Sequence, residues 1–190
     1  MADTEQSPII VRKAGQGAPA KADRRVARTL DALLNAFIGL VLEENYRRIS
    51  IGRIVERANV GRSTFYEHFR SKDDILIASM GGMFEVLADA ACPDAPRAAL
   101  DRLVAHFWSN RQLARAVLAP PIEGKLRRAL AAKIEERLAA QADAERFTPR
   151  RIVAVQIAAA QLALLDAWTR GELSAGAGEI AGALAAVARR

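Results

Sequence analysis

The stretch Ile49–Leu76, ISIGRIVERANVGRSTFYEHFRSKDDIL, constrains this chain more than any other. Ser50 is placed to cap a short helix that carries Ile51, Ile54 and Val55 on one face and ends near Ala58. Asn59-Val60-Gly61 reads as a tight turn, because asparagine and glycine tolerate the left-handed backbone conformation. A second helix follows from about Arg62 to Phe69. Phe65 and Phe69 share one of its faces and, with Val60, anchor it on the first helix. It is too short and too polar on the other face to stand alone. Two helices of about two turns joined this way form a helix-turn-helix. Ser71-Lys72-Asp73-Asp74 then has the capping-box pattern that opens another helix, with two acids on the positive end of its dipole.

The anchors leave Arg62, Ser63, Thr64, Tyr66 and His68 pointing outward. That mixture suits a DNA groove. Arginine donates a bidentate pair to guanine, and serine or threonine contacts bases or phosphates. Tyrosine, histidine and lysine donate to phosphate oxygens, which fixes register without reading sequence. Lys72 and Ser50, at the starts of neighbouring helices, complete the expected DNA-contacting set. Arg53 and Arg57 are expected to be solvated or ion-paired.

The charge distribution agrees. Residues 21–72 hold eleven basic against six acidic side chains, which accounts for all but one unit of the formal net charge of +6. A basic N-terminal third on a nearly neutral body points to a polyanion-binding module, although a solvated basic surface gives the same count.

The rest reads as helix throughout. Aromatics make up only 5% of the chain, and alanine and leucine dominate after residue 20. Residues 1–20, rich in Gly, Pro, Ala and Gln, read as a disordered arm. A first helix is expected from Asp23, as N-cap, to near Asn45, with Val26, Leu30, Leu33, Leu34, Phe37, Leu40 and Val41 at helical spacing. The helix opened by Ser71 buries Leu76, Met80, Met83, Phe84 and Leu87 without a break. Further helices are expected over Leu100–Trp108, Gln112–Leu118, Glu123 to about Ala144, from a Thr148 cap with Pro149 as first helical residue to Arg170, and about Ala177–Ala188. The fold class is therefore all-α with about nine helices. The expected organisation is an arm (1–20), a helix-turn-helix domain (21–72) and a helical effector-binding and dimerisation domain (73–190).

Several function classes drop out. Two histidines, no glycine-rich phosphate loop and no metal-ligand cluster leave no catalytic constellation, no metal site and no call for a cofactor. The single cysteine, Cys92, rules out an intramolecular disulfide and fits a reducing cytoplasm. The apolar run Ile152–Trp168 is interrupted by Gln156, Gln161 and Asp166, so no membrane span is expected, and the N-terminus lacks a signal-peptide pattern.

The run Ala58-Asn59-Val60-Gly61-Arg62-Ser63-Thr64-Phe65-Tyr66-Glu67-His68-Phe69, followed by Ser71-Lys72-Asp73, resembles the TetR family of transcription regulators. The resemblance covers roughly residues 23–80. It departs from the family at Asn59, where glycine is usual, and at Gly61, where serine is frequent. It implies a three-helix DNA-binding domain, a pocket for a small-molecule effector in the later helices, packing of the last two helices against a second subunit, and repression. An architectural DNA-binding protein without effector remains the alternative. The expected pocket is lined by Met83, Phe84, Leu87, Phe107, Trp108, Val117 and Leu138, while Gln112, Gln156 and Gln161 are expected at the surface. One helix-turn-helix offers few base contacts, so two copies on palindromic double-stranded DNA are expected. Helical spacing puts Ile152, Val155, Ala159, Leu162, Ala163 and Asp166, with Ile180, Leu184 and Val187, on the homodimer seam.

Overall fold

A computed structural model of the chain describes residues 21–92, 95–141 and 149–187, with side chains from residue 24 onward. Every regular element among them is helical: α1 Lys21–Glu43, α2 Ile51–Ala58, α3 Arg62–His68, α4 Lys72–Ser79, α5 Gly81–Asp89, α6 Arg97–Ser109, α7 Arg111–Leu118, α8 Glu123–Ala139, α9 Arg150–Arg170 and α10 Ala177–Ala186. A single 3₁₀ turn, Tyr46–Arg48, joins α1 to α2. The expected arm at 1–20 and the Thr148 cap lie outside the described residues.

The helices form two compact units, one running to Gly82 and the other starting at Met83. In the first, α1 packs on α2 and α4, and α2 packs on α3. Its core contains Leu33, Phe37, Leu40, Ile49, Ile54, Phe65, Ile75 and Leu76. In the second, α8 packs along α9, α7 lies on α9, and α10 covers α6. Arg97 Nη2 donates to the Gly178 carbonyl at 2.6 Å and Arg115 Nε to the Thr169 carbonyl at 2.7 Å, tying α6 to α10 and α7 to the end of α9.

Four boundaries differ from expectation. α1 starts at Lys21, so Asp23 lies inside the helix instead of capping it. The helix expected to run unbroken past Met80 is two helices, because Met80 (φ −98°, ψ 1°) leaves the helical path ahead of Gly81-Gly82. Each glycine costs a helix about 1 kcal/mol relative to alanine, which makes the pair a natural break. α8 closes at Ala139, short of Ala144. Pro149 is extended (φ −52°, ψ 132°) and precedes α9, which begins at Arg150.

α9 also corrects the view that no apolar segment is of spanning length. Among the described residues it is the one helix long and apolar enough, by length and composition, to cross a membrane. Here its buried face, Ala154, Ile157, Ala158, Gln161, Leu162, Leu165, Trp168 and Thr169, is core of the second unit.

Candidate nucleic-acid interface

The recognition element is built locally. Ser50 (φ −113°, ψ 158°) caps α2, its Oγ accepting from Arg53 N at 3.3 Å. Asn59 closes α2 in the left-handed conformation (φ 53°, ψ 48°). Its N–H donates to the Glu56 carbonyl at 3.1 Å, and Val60 N–H reaches the Val55 carbonyl at 3.1 Å. These are the paired bonds of a Schellman ending. Gly61 (φ −68°, ψ 150°) caps α3 through backbone alone. Ser71 Oγ accepts from Asp74 N at 3.2 Å, and Asp74 Oδ2 accepts from Ser71 N at 3.2 Å and Arg70 N at 2.8 Å, so the capping box forms as read.

α3 is pinned by Phe65, which is fully buried, and by Phe69, just past its end and 5.5 Å away between ring centroids. The opposite side shows Arg62, Ser63, Tyr66 and Glu67 exposed, with Thr64 and His68 half-buried. Tyr66 stands edge-on to Phe65 at 5.6 Å with its hydroxyl end free to face a partner. Val60, expected as an anchor, is only half-buried.

The basic side chains around this helix fall into two groups. Arg53 pairs with Glu44, and Arg57 with Glu43, within the α1–α2 seam. The Arg57 hydrogen bond holds the Glu43 carboxyl below its ordinary range. A Cβ on Gly39 would lie 2.7 Å from Arg57 Nη2, so a larger residue there displaces the end of the Arg57 side chain. Lys72, half-buried, belongs with these internally bonded bases, although Arg53 and Arg57 themselves are exposed. Its ammonium donates to the carbonyls of Tyr46 at 2.9 Å and Ile49 at 3.0 Å, approaches that of Arg47 at 3.5 Å, and sits 4.5 Å from the Tyr46 ring centroid. Tyr46 hydroxyl donates to Asp73. Burial first, and then that bond, push the Tyr46 phenol far above its ordinary range. Arg24, Arg25, Arg28, Arg47, Arg48, Arg62 and Arg70 form the other group, exposed at the surface. Arg47 and Arg48 were absent from the expected contact set, though a double arginine directly ahead of the Ser50 cap was a readable signal.

In the second unit, Met83, Phe84, Leu87, Phe107, Val117 and Leu138 are all buried. Trp108 is not enclosed with them. It is 45% exposed, stacks at 4.8 Å on buried Trp168, and carries Arg111 on its ring at 5.4 Å. Gln161 is fully buried, against the expectation of surface exposure, whereas Gln112 and Gln156 are exposed. The backbone ladder ending α5 tightens at Ala91 N to Ala88 O, and Gln161 Nε2 takes the Leu87 carbonyl at 3.0 Å. Gln161 Oε1 is buried with no hydrogen-bond partner.

The residues expected on one dimer seam separate into two sets. Ile152 (49%), Val155 (40%) and Ala163 are exposed, with Ala159 and Val187 half-buried. Asp166, also half-buried, is ion-paired to Arg170 at 2.8 Å. Leu162, Ile180 and Leu184 instead fill the core of their own unit. The reason is that α9 is apolar nearly all round, so helical spacing alone does not say which face meets the monomer core.

A family model described as bacterial regulatory proteins, tetR family, matches residues 33–79, the segment from α1 to the end of α4. That segment, about a quarter of the chain, is similar to the TetR family. The chain is 42% identical over 55 residues to the uncharacterized HTH-type transcriptional regulator YxbF of Bacillus subtilis, covering 28% of this chain and 14% of that protein. It is 24% identical over 88 residues to the HTH-type transcriptional regulator TcmR of Streptomyces glaucescens, covering 46% of this chain and 39% of TcmR. These alignments thus span well under half the length of either curated relative. Over 89% of its length the chain is similar in fold to a TetR transcriptional regulator from Streptococcus agalactiae (TM-score 0.56, 24% identity, 98% of that chain). A putative TetR-family regulator from Syntrophomonas wolfei gives TM-score 0.55 at 19% identity, over 89% of this chain and 95% of that one.

Proposed function

We propose that this chain is a TetR-family transcription regulator that binds double-stranded DNA through α3, works as a homodimer in the cytoplasm, and is released from its site by a small-molecule effector. The observation that carries the DNA reading is the outward row of α3, Arg62, Ser63, Thr64, Tyr66 and His68, held by Phe65 and Phe69 beneath it. Arg62, at the first position of α3, reads a base edge; Tyr66 and His68 donate to phosphates. DNA binding resides in residues 21–72 together with the rest of α4, and residues 73–190 supply the effector and dimer functions. The exposed apolar strip Ile152, Val155 and Ala163, with Ala159 beside it, supports a second copy packing on α9. Met83, Phe84, Leu87, Phe107, Val117 and Leu138 are the apolar side chains that such an effector would meet, and Gln161 Oε1, buried without a donor while its Nε2 holds the Leu87 carbonyl, is the polar point of attachment that supports this site. An effector releases DNA only by favouring the conformation that binds DNA poorly. The family resemblance supports repression.

Two substitutions test this reading. Arg62→Ala is expected to narrow the gap between specific and random duplexes by about 1–3 kcal/mol. Ala159→Arg puts an unpaired charge in the proposed seam, where it costs several kcal/mol. Sedimentation is expected to show a folded monomer with sharply weakened specific binding. An Ala159→Arg chain that stays dimeric at micromolar concentration places the interface elsewhere.

A further inference from the structure

Resting on the effector-site reading, we propose that Gln161 selects the effector: a neutral, largely apolar molecule with one N–H or O–H that donates to Gln161 Oε1. The Gln161 amide is committed at one end and unpartnered at the other. Past the end of α5 the backbone ladder changes course. Ala90 N donates to the Val86 carbonyl at 3.0 Å, but Ala91 N turns to the Ala88 carbonyl at 3.1 Å. The Leu87 carbonyl therefore loses the donor that a continuing helix would give it. Gln161 Nε2 takes that place at 3.0 Å, from 74 residues away in the chain. A carbonyl only accepts, so this bond fixes which end of the amide is nitrogen and leaves Oε1 on the other side. Oε1 has no hydrogen-bond partner, on a side chain that is fully buried. Holding α5 accounts for the nitrogen and leaves the oxygen without a task.

The surroundings set the rest of the ligand. Gln161 shares its face of α9 with Ile157, Ala158 and Leu165, all buried, and Leu87 shares the buried face of α5 with Met83 and Phe84. Among the described residues of the second unit, Gln161 and Thr169 are the buried polar side chains, and neither is charged. Thr169 Oγ1 is engaged, donating to the Asp166 carbonyl at 3.1 Å. A carboxylate or ammonium in such a place would be stripped of water with no opposite charge beside it. An ether or ketone would offer Oε1 a second acceptor. A neutral hydroxyl or N–H meets an acceptor whose desolvation the fold already bears, so the new bond is not offset by water lost from the protein side. Alcohols, phenols and N–H heterocycles on an apolar frame have this chemistry.

The test uses matched probes on the full wild-type chain: naphthol, its methyl ether and naphthoate, then decanol, its methyl ether and decanoate. Affinity is read from the rise in melting temperature with ligand concentration. Within each set that binds, the alcohol is expected to bind roughly ten- to a hundredfold more tightly than its ether, and the carboxylate most weakly. In Gln161→Met, similar in length but without the amide, alcohol and ether are expected to bind alike. Loss of the Leu87 tie also lowers the melting temperature there, but a purely structural Gln161 would leave the preference for the alcohol intact. If Gln161→Met does not fold, the carbon resonance of the Gln161 side-chain carbonyl in the wild type decides: it is expected to move with the alcohol and not with the ether. The proposal is overturned by ethers that bind as tightly as their alcohols, by a carboxylate that binds more tightly than either, by a preference that survives Gln161→Met, or by a Gln161 resonance that ignores the alcohol. A panel in which no compound binds would instead bring down the effector site on which this rests, and the proposal with it.

Discussion

Asn59 sets the angle between α2 and α3 by a backbone conformation that most residues avoid, and substitutions there isolate that cost. Its φ of 53° and ψ of 48° are left-handed, and its side chain is exposed, so little packing is lost when it changes. An L-residue costs roughly 1–2 kcal/mol in this region, and asparagine lies at the low end because its short polar side chain bonds locally. Glycine removes the steric cost but loses about 0.4–1 kcal/mol through the greater freedom of its unfolded chain. Asn59→Gly is therefore expected to leave stability within about 0.5 kcal/mol of the wild type. Asn59→Ala is expected to cost about 1 kcal/mol, and Asn59→Val, with a branched Cβ, about 2 kcal/mol. Urea unfolding followed by helical circular dichroism measures this, with an unchanged slope confirming that only the native turn was altered. DNA affinity is expected to rank the variants in the same order. An Asn59→Val protein as stable as Asn59→Gly would refute the view that this turn stores backbone strain.

Three further outcomes are expected. Phe65→Ala removes the fully buried anchor of α3 and is expected to destabilise by about 3–5 kcal/mol, enough to abolish DNA binding near physiological temperature when scanned by differential calorimetry. Gly61→Ser is expected to be tolerated and to add a few tenths of a kcal/mol, since a Cβ there meets Ser63 Oγ and Thr64 Oγ1 at an ordinary 3.6 Å and serine supplies the missing side-chain cap. Burial lowers the pKa of His106, so the unfolded chain takes up its proton first. Stability contributed by neutral His106 is present above the ordinary histidine value and is lost as pH falls through the folded value; denaturant titrations at descending pH are expected to show that loss, and His106→Gln to remove it.

What the sequence made legible was local. The Ser50 cap, the Asn59 turn and the Ser71–Asp74 box each involve residues within a few positions of one another, and Phe65 with Phe69 obeys the simple spacing of one helix face. What the sequence does not show depends on contacts far apart in the chain. The bond from the Lys72 ammonium to the Tyr46 carbonyl, 26 residues away, leaves no local pattern around Lys72. Gln161 reads as a surface residue until the Leu87 carbonyl, 74 residues away, needs a donor. Leu162 and Ile152 carry the same periodic signal on α9, yet one is core and the other surface, because the choice between two apolar faces is made by α8 and α7. The break at Met80 is marked in the sequence by the Gly81-Gly82 pair that follows it, and was outweighed by the apolar spacing on either side.

Reading of DNA by two copies of α3 is measured by selecting bound duplexes from a random pool with the purified wild-type chain and with Arg62→Ala. The expected result is a site with two-fold symmetry, its half-sites about one helical turn, roughly 34–36 Å, apart, and a preference lost at one base pair in each half-site for Arg62→Ala. A pool that enriches no sequence, or a site that is unchanged by Arg62→Ala, would contradict it.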